Sequence, residues 1–163
     1  MRRPHVLAVT AVLLAALTAC GSTTQESGEA TGSASPSGPG SGTPTVGSYP
    51  AYPHQDYAYT LVISCFCPDA GQPIRITVRD GRVVSAVYAQ RGRGHRPGDA
   101  VTAEYQRKTL DDVIAAANNT EADRVEVLWP AGQDYPTSVY VDALANAVDE
   151  EIGFTVSRVR PLD

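Results

Sequence analysis

No Gly-x-Ser-x-Gly elbow, no His-Glu-x-x-His helix and no phosphate-loop glycine pattern occurs in the 163 residues. Their absence removes the recognisable routes to a serine nucleophile, a zincin centre and a cradled nucleotide. Histidine is scarce too. Beyond the N-terminal leader only His54 and His95 remain, and neither spaces into a ligand motif. Zinc sites normally want four ligands at set spacings. Basic residues are outnumbered, 13 Lys+Arg against 18 Asp+Glu, for a net charge of −5. That balance argues against a general nucleic-acid binder. No cofactor is expected, and the lack of a nucleophile–base pairing lowers the case for an enzyme.

Cysteine is limited to Cys20, Cys65 and Cys67. The first belongs to the leader. Arg2 and Arg3 form a positive n-region, Val6 to Leu17 is an apolar run, and Thr18 and Ala19 are small. This is the layout of a secretory signal, too short for a spanning helix. The ending Leu17-Thr18-Ala19-Cys20 resembles the lipobox of bacterial lipoproteins. The resemblance implies cleavage before Cys20 and diacylation of its sulfur, leaving residues 1–19 as the signal peptide. Two acyl chains suffice for stable anchoring, where one is marginal. The expected location is therefore the cell membrane, lipid-anchored and facing the extracytoplasmic side. Cleavage would remove two arginines and no acid, taking the net charge from −5 to −7.

Residues 20–49 read as the lipidated cysteine and a tether of Gly, Ser, Thr, Pro and Ala. Such a composition cannot bury enough apolar surface to fold. As a flexible coil it spans about 30 Å. Residues 50–163 then form one globular domain of ordinary length.

Period-two alternation marks the strands. In "YAYTLVISCFC" the odd positions, Tyr57 to Cys67, form the more continuous apolar row, so both cysteines are expected to point inward. Ile74, Ile76 and Val78 alternate with Arg75, Thr77 and Arg79. Asp80-Gly81 is a two-residue hairpin signal. It predicts pairing of 78 with 83 and of 76 with 85, which turns Val83, Ser85 and Val87 inward and Val84, Ala86 and Tyr88 outward. "TLDDVIAAANN" predicts a helix with Thr109 and Asp112 in a capping-box pattern, and with Leu110, Val113, Ile114 and Ala117 on one apolar face. Three strands follow, in "DRVEVLW", "PTSVYVD" and "IGFTVSRV", with a short helical turn expected in "ALANAVDEE". The expected fold is α+β: a two-layer arrangement of an antiparallel sheet of about six strands, in β3-α-β3 order, with one main helix packed on a face.

The segments "YAYTLVISCFCP", "ITVRDGRVVSA", "TLDDVIAAA" and "YPTSVYVDALANAVDEEIGFTVS" together resemble an actinobacterial family of secreted and lipid-anchored proteins, the domain of unknown function numbered 6174. The resemblance runs from about Tyr57 to Val159. It implies the fold class and the envelope location, and carries no assigned activity.

Three sets of residues are candidates for function. Cys65 and Cys67 are the thiols left in an oxidising compartment. Positions two apart in a flat strand lie about 6.6 Å apart, against the roughly 4.4–6.8 Å that disulfides span, so a bond between them asks for a kink. They read as a structural disulfide or buried thiol pair, as a redox pair, or as ligands of Cu(I) or Zn(II). Arg75, Arg79, Arg82, Arg91, Arg93 and Arg96 make residues 75–96 strongly basic, with Asp80 the lone acid. They suit an anionic partner such as lipid headgroups, a wall polymer or an acidic protein, or a solvated face. Asp142, Asp149 and Glu150 could hold a hard cation or act as an acid/base pair, or simply solvate a turn. The expectation is an envelope-anchored, non-catalytic binding or accessory domain with a protein, wall polymer or small ligand as partner. The alternative is a thiol–disulfide or metal-handling protein.

Overall fold

The computed structural model describes residues 44–163 except Arg93 and Val148. The expected signal peptide, Cys20 and most of the expected tether lie outside the described residues. Six strands and one α-helix follow in chain order: β1 (Tyr57–Cys65), β2 (Ile74–Arg79), β3 (Arg82–Tyr88), α1 (Leu110–Ala117), β4 (Arg124–Leu128), β5 (Ser138–Asp142) and β6 (Glu151–Pro161). The strands form a single antiparallel sheet in the order β3-β2-β1-β6-β5-β4. Among the described residues no helix is long and apolar enough to cross a membrane.

The alternation of β1 builds the core. Tyr57, Tyr59, Leu61 and Ile63 are buried. Leu61 faces Ile74 on one side and Val156 on the other, and Ile63 faces Phe154. The row continues through Val139 and Val141 on β5 to Val127 and Val125 on β4. Leu110, Val113, Ile114 and Ala117 of α1 join the same cluster. Each fully buried aliphatic side chain contributes about 1.5–3 kcal/mol, so this row dominates the stability.

Two tyrosine hydroxyls of β1 fix the start of α1. Leu110 N–H donates to the Tyr57 hydroxyl at 2.9 Å, and the Tyr59 hydroxyl donates to the Lys108 carbonyl at 2.5 Å. Thr109 caps the helix as its sequence predicts. Its side chain accepts from Asp112 N–H, and the Asp112 carboxylate accepts from Thr109 N–H. The segment before β1 runs along the helix, with Tyr49 paired to the Asn118 side chain and Tyr52 N–H donating to Asp111.

Two sequence expectations need correction. The hairpin pairs Val78 with Val83 as expected, but then slips, so that Thr77 faces Ser85 and Ile76 faces Ala86. A bulge at Val84, which is 57% exposed, inserts the extra residue. It turns Ala86 and Tyr88 into the core and sends Ser85 out, because one added residue exchanges the two faces of a strand. Cys65 and Cys67 do not both point inward. β1 ends at Cys65, the chain turns, and both cysteines are half-buried. The short helical turn expected in "ALANAVDEE" is present as one turn among its described residues, closed by Ala147 N–H to the Leu144 carbonyl. The connection, residues 143–150, joins antiparallel neighbours whose last pair is Asp142 with Glu151.

Candidate functional site

The disulfide loop lies at one end of β1. Cys65 and Cys67 are bonded, with Cα atoms 5.2 Å apart. The turn after Cys65 supplies the kink that a flat strand lacks. Between them Phe66 is 84% exposed, at the tip of the short loop that the bond closes. The loop is anchored independently of sulfur. Gly71 N–H donates to the Ile63 carbonyl at 2.8 Å, and the Tyr105 hydroxyl donates to the Pro68 carbonyl at 2.5 Å. His95 Nε2 lies 3.1 Å from an Asp69 carboxylate oxygen, while its ring stacks on Tyr88 at 3.9 Å. The Tyr88 hydroxyl donates to the same Asp69 carboxylate. Burial, and then the Asp69 charge, push the Tyr88 hydroxyl above its ordinary pKa, so it remains a donor. The effect is to clamp the glycine- and arginine-rich loop after β3 onto the disulfide loop.

The predicted arginines occupy several settings. Arg79 pairs with Asp56 at 3.2 Å. Asp56 also accepts from Asp80 N–H at 2.8 Å, and this bond, followed by the Arg79 guanidinium, holds its carboxyl below the usual range. Arg82 is exposed beside the hairpin turn, in a hollow shared with Arg107 and Glu104. Arg91 and Arg96 are exposed in the loop, and Arg93 lies outside the described residues.

Arg75 is placed differently. It lies on the same side of the sheet as Ala58 and Thr60 of β1, and Thr60 faces it directly. Ala58 and Thr60 are buried although they belong to the face opposite the core. A bulge brings two further cations there. Ala58 pairs with Arg160 and Thr60 with Ser157, so β6 carries an extra residue. Arg158 sits in that bulge with a left-handed φ of 54°. Arg75, Arg158 and Arg160 thus line a hollow of about 320 Å³ around Ala58 and Thr60. Among the described residues none of the three forms an ion pair. Reading along the chain missed Arg158 and Arg160. They are some eighty residues from Arg75, and only the β1–β6 pairing joins them. The alternation in "SRVR" was the one available signal.

Among the acidic candidates, Asp142 ends β5 and faces Glu151, while Asp149 and Glu150 are exposed before β6. One Asp142 carboxylate oxygen is buried without a hydrogen-bond partner. Among the described residues no group of three His, Cys, Asp or Glu side chains could hold a metal ion.

A second hollow, of about 680 Å³, lies between the segment before β1 and the β4–β5 connection. Tyr49 stacks on Trp129 at 4.9 Å, and Trp129 Nε1 donates to the Gln133 carbonyl at 2.7 Å. Its walls are mainly proline, alanine and these two rings, with Asp134 at one side.

Residues 43–161 match the model of a family of unknown function (DUF6174), and the chain belongs to that family. No curated protein and no solved structure matches it.

Proposed function

We propose that the chain is an extracytoplasmic binding domain without catalytic activity, anchored by acyl chains on Cys20, that takes an anionic envelope partner on the sheet face pointing away from α1. The finer architecture belongs to this reading. Two layers in β3-α-β3 order would leave α1 covering the row from Tyr57 to Ile63 and the opposite face free. The observation that carries the reading is the hollow at Ala58 and Thr60, ringed by Arg75, Arg158 and Arg160. Cations gathered over a buried floor, with no ion-paired acid among the described residues, favour an incoming anion. The lipobox-like leader supports the location, and the acidic net charge disfavours nucleic acid as the partner. A wall polymer, an envelope protein or a small ligand would all suit.

The test removes the anchor as a cause of retention. A Cys20→Ser chain should still be retained on envelope preparations. Retention should fall with Thr155→Trp or Ser157→Trp, whose rings would project from exposed positions on the outer face. Glu121→Trp, beside the C-terminal end of α1, should leave it unchanged. Retention that is absent, or indifferent to the two outer-face substitutions, would refute the proposal.

One observation favours a second reading, thiol–disulfide exchange at Cys65 and Cys67. Both cysteines are half-buried at a sheet end rather than sealed under it, and exchange requires access by an attacking thiolate. In that reaction an incoming dithiol would be oxidised as the bond opened. Cys65→Ser with Cys67→Ser would then abolish function in a folded chain, whereas a binding domain would retain its partner.

A further inference from the structure

We infer that the hollow formed by Arg75, Arg158 and Arg160 binds a phosphoryl group bearing at least two negative charges, as in a phosphate monoester or a diphosphate. This rests on the reading of that sheet face as the binding face, and adds the chemistry of what binds.

The first argument is the number and kind of donors. Twelve of the 13 basic residues in the chain are arginine. A guanidinium is a planar fork of N–H donors that matches phosphate oxygens two at a time. A carboxylate is planar and has two oxygens, which one or two forks saturate. Three forks from two strands suit a tetrahedral anion with three or more oxygens. Three positive charges also exceed what a single negative charge would balance.

The second argument is how the site is made. Arg158 holds a left-handed φ of 54°, which an L-residue adopts only against a local cost. The register shift between Ala58 and Thr60 puts this residue beside Arg160 on the short stretch of β6 opposite Arg75. Bulges are used to re-aim side chains in this way. Nearby arginines show the contrast. Arg79 is neutralised by Asp56, and Arg107 donates to the Val101 and Val83 carbonyls. The three at the hollow have no such engagement among the described residues.

The third argument is size and floor. The hollow, of about 320 Å³, lies at the small end of ligand sites, which run from about 300 to 1,000 Å³. Ala58 contributes only a methyl group and Thr60 a hydroxyl, so the floor leaves room and offers one neutral hydrogen-bonding group.

The test is calorimetric titration of the full chain at low ionic strength with pyrophosphate, inorganic phosphate and citrate, alongside vesicles of phosphatidylglycerol. Pyrophosphate should bind at least about tenfold more tightly than citrate, a carboxylate of comparable charge. Arg75→Gln and Arg158→Gly should each weaken it about tenfold or more, the loss expected for a charged hydrogen bond. Arg91→Gln should leave it unchanged. Thermal unfolding of each variant verifies that it is folded, and Arg158→Gly in particular relieves the left-handed backbone. Equal binding of citrate and pyrophosphate would overturn the phosphoryl assignment while leaving the binding face intact. Pyrophosphate binding indifferent to both variants would overturn the location. Vesicle binding that depends on the arginines, without pyrophosphate binding, would overturn the inference in favour of a membrane surface.

Discussion

Ala58 faces Arg160 across the β1–β6 ladder, while two residues along β1 Thr60 faces Ser157. Two steps on one strand therefore match three on the other. The surplus backbone is accommodated where Arg158 turns left-handed, and the cationic hollow depends on that surplus.

The bulge makes a stability prediction. Arg158→Gly should keep the fold and raise its stability by up to about 1 kcal/mol, since glycine adopts this φ without the steric cost. Arg158→Val should lower stability by about 1–2 kcal/mol, because a β-branched residue tolerates that region least. Urea unfolding midpoints of the two variants would separate them in opposite directions. A glycine variant that unfolds earlier would contradict the backbone assignment.

The hydroxyl that receives the first helical N–H predicts an alkaline weakness. Burial pushes the Tyr57 hydroxyl from 10.0 up to about 12, outweighing the lowering effect of the Leu110 N–H. The folded state thus holds this proton where the unfolded chain releases it. The contribution is complete below about pH 10 and is lost as the pH climbs towards about 12. Tyr57→Phe should flatten that part of the stability–pH curve. It should also cost about 1–3 kcal/mol at neutral pH, since the Leu110 N–H is buried and would lose its acceptor. Denaturant titrations at a series of alkaline pH values measure both effects.

Much of this core was legible from local pattern. The odd row of β1, the Thr109–Asp112 cap and the apolar face of α1 follow from periodicities of two and 3.6, and each is present. The face of β3 beyond Val83 was not legible. A strand with valine or alanine on both sides reads acceptably in either register, and the bulge at Val84 decides. The inward placement of Cys67 failed for a related reason. Alternation assumes that the strand continues, and β1 stops at Cys65. The site was the least legible part. Arg75 was singled out for its neighbours in sequence, yet its neighbours in space are Arg158 and Arg160, brought by a long-range pairing that no local period encodes.

The disulfide loop should survive loss of its sulfur bond. A bond closing so short a loop restricts the unfolded chain little, about 1.5 kcal/mol on the chain-entropy account. The Tyr105, Gly71 and Asp69–His95 contacts hold the loop as well. Cys65→Ser with Cys67→Ser should therefore fold, with a loss of about 1–2 kcal/mol. Alkylation before and after reduction, read by intact mass, should find no free thiol among these two in the oxidised chain. Two free thiols at the outset would contradict the bonded pair.

The most direct measurement of the binding face is arginine footprinting. Phenylglyoxal modification, read by peptide mass, would be compared for the Cys20→Ser chain alone and with envelope preparations. Slower modification of Arg75, Arg158 and Arg160, with Arg82, Arg91 and Arg96 unaffected, is the result predicted by a partner seated on the outer sheet face. Protection of Arg91 and Arg96 with the hollow still reactive would contradict it and move the site to the loop beside the disulfide.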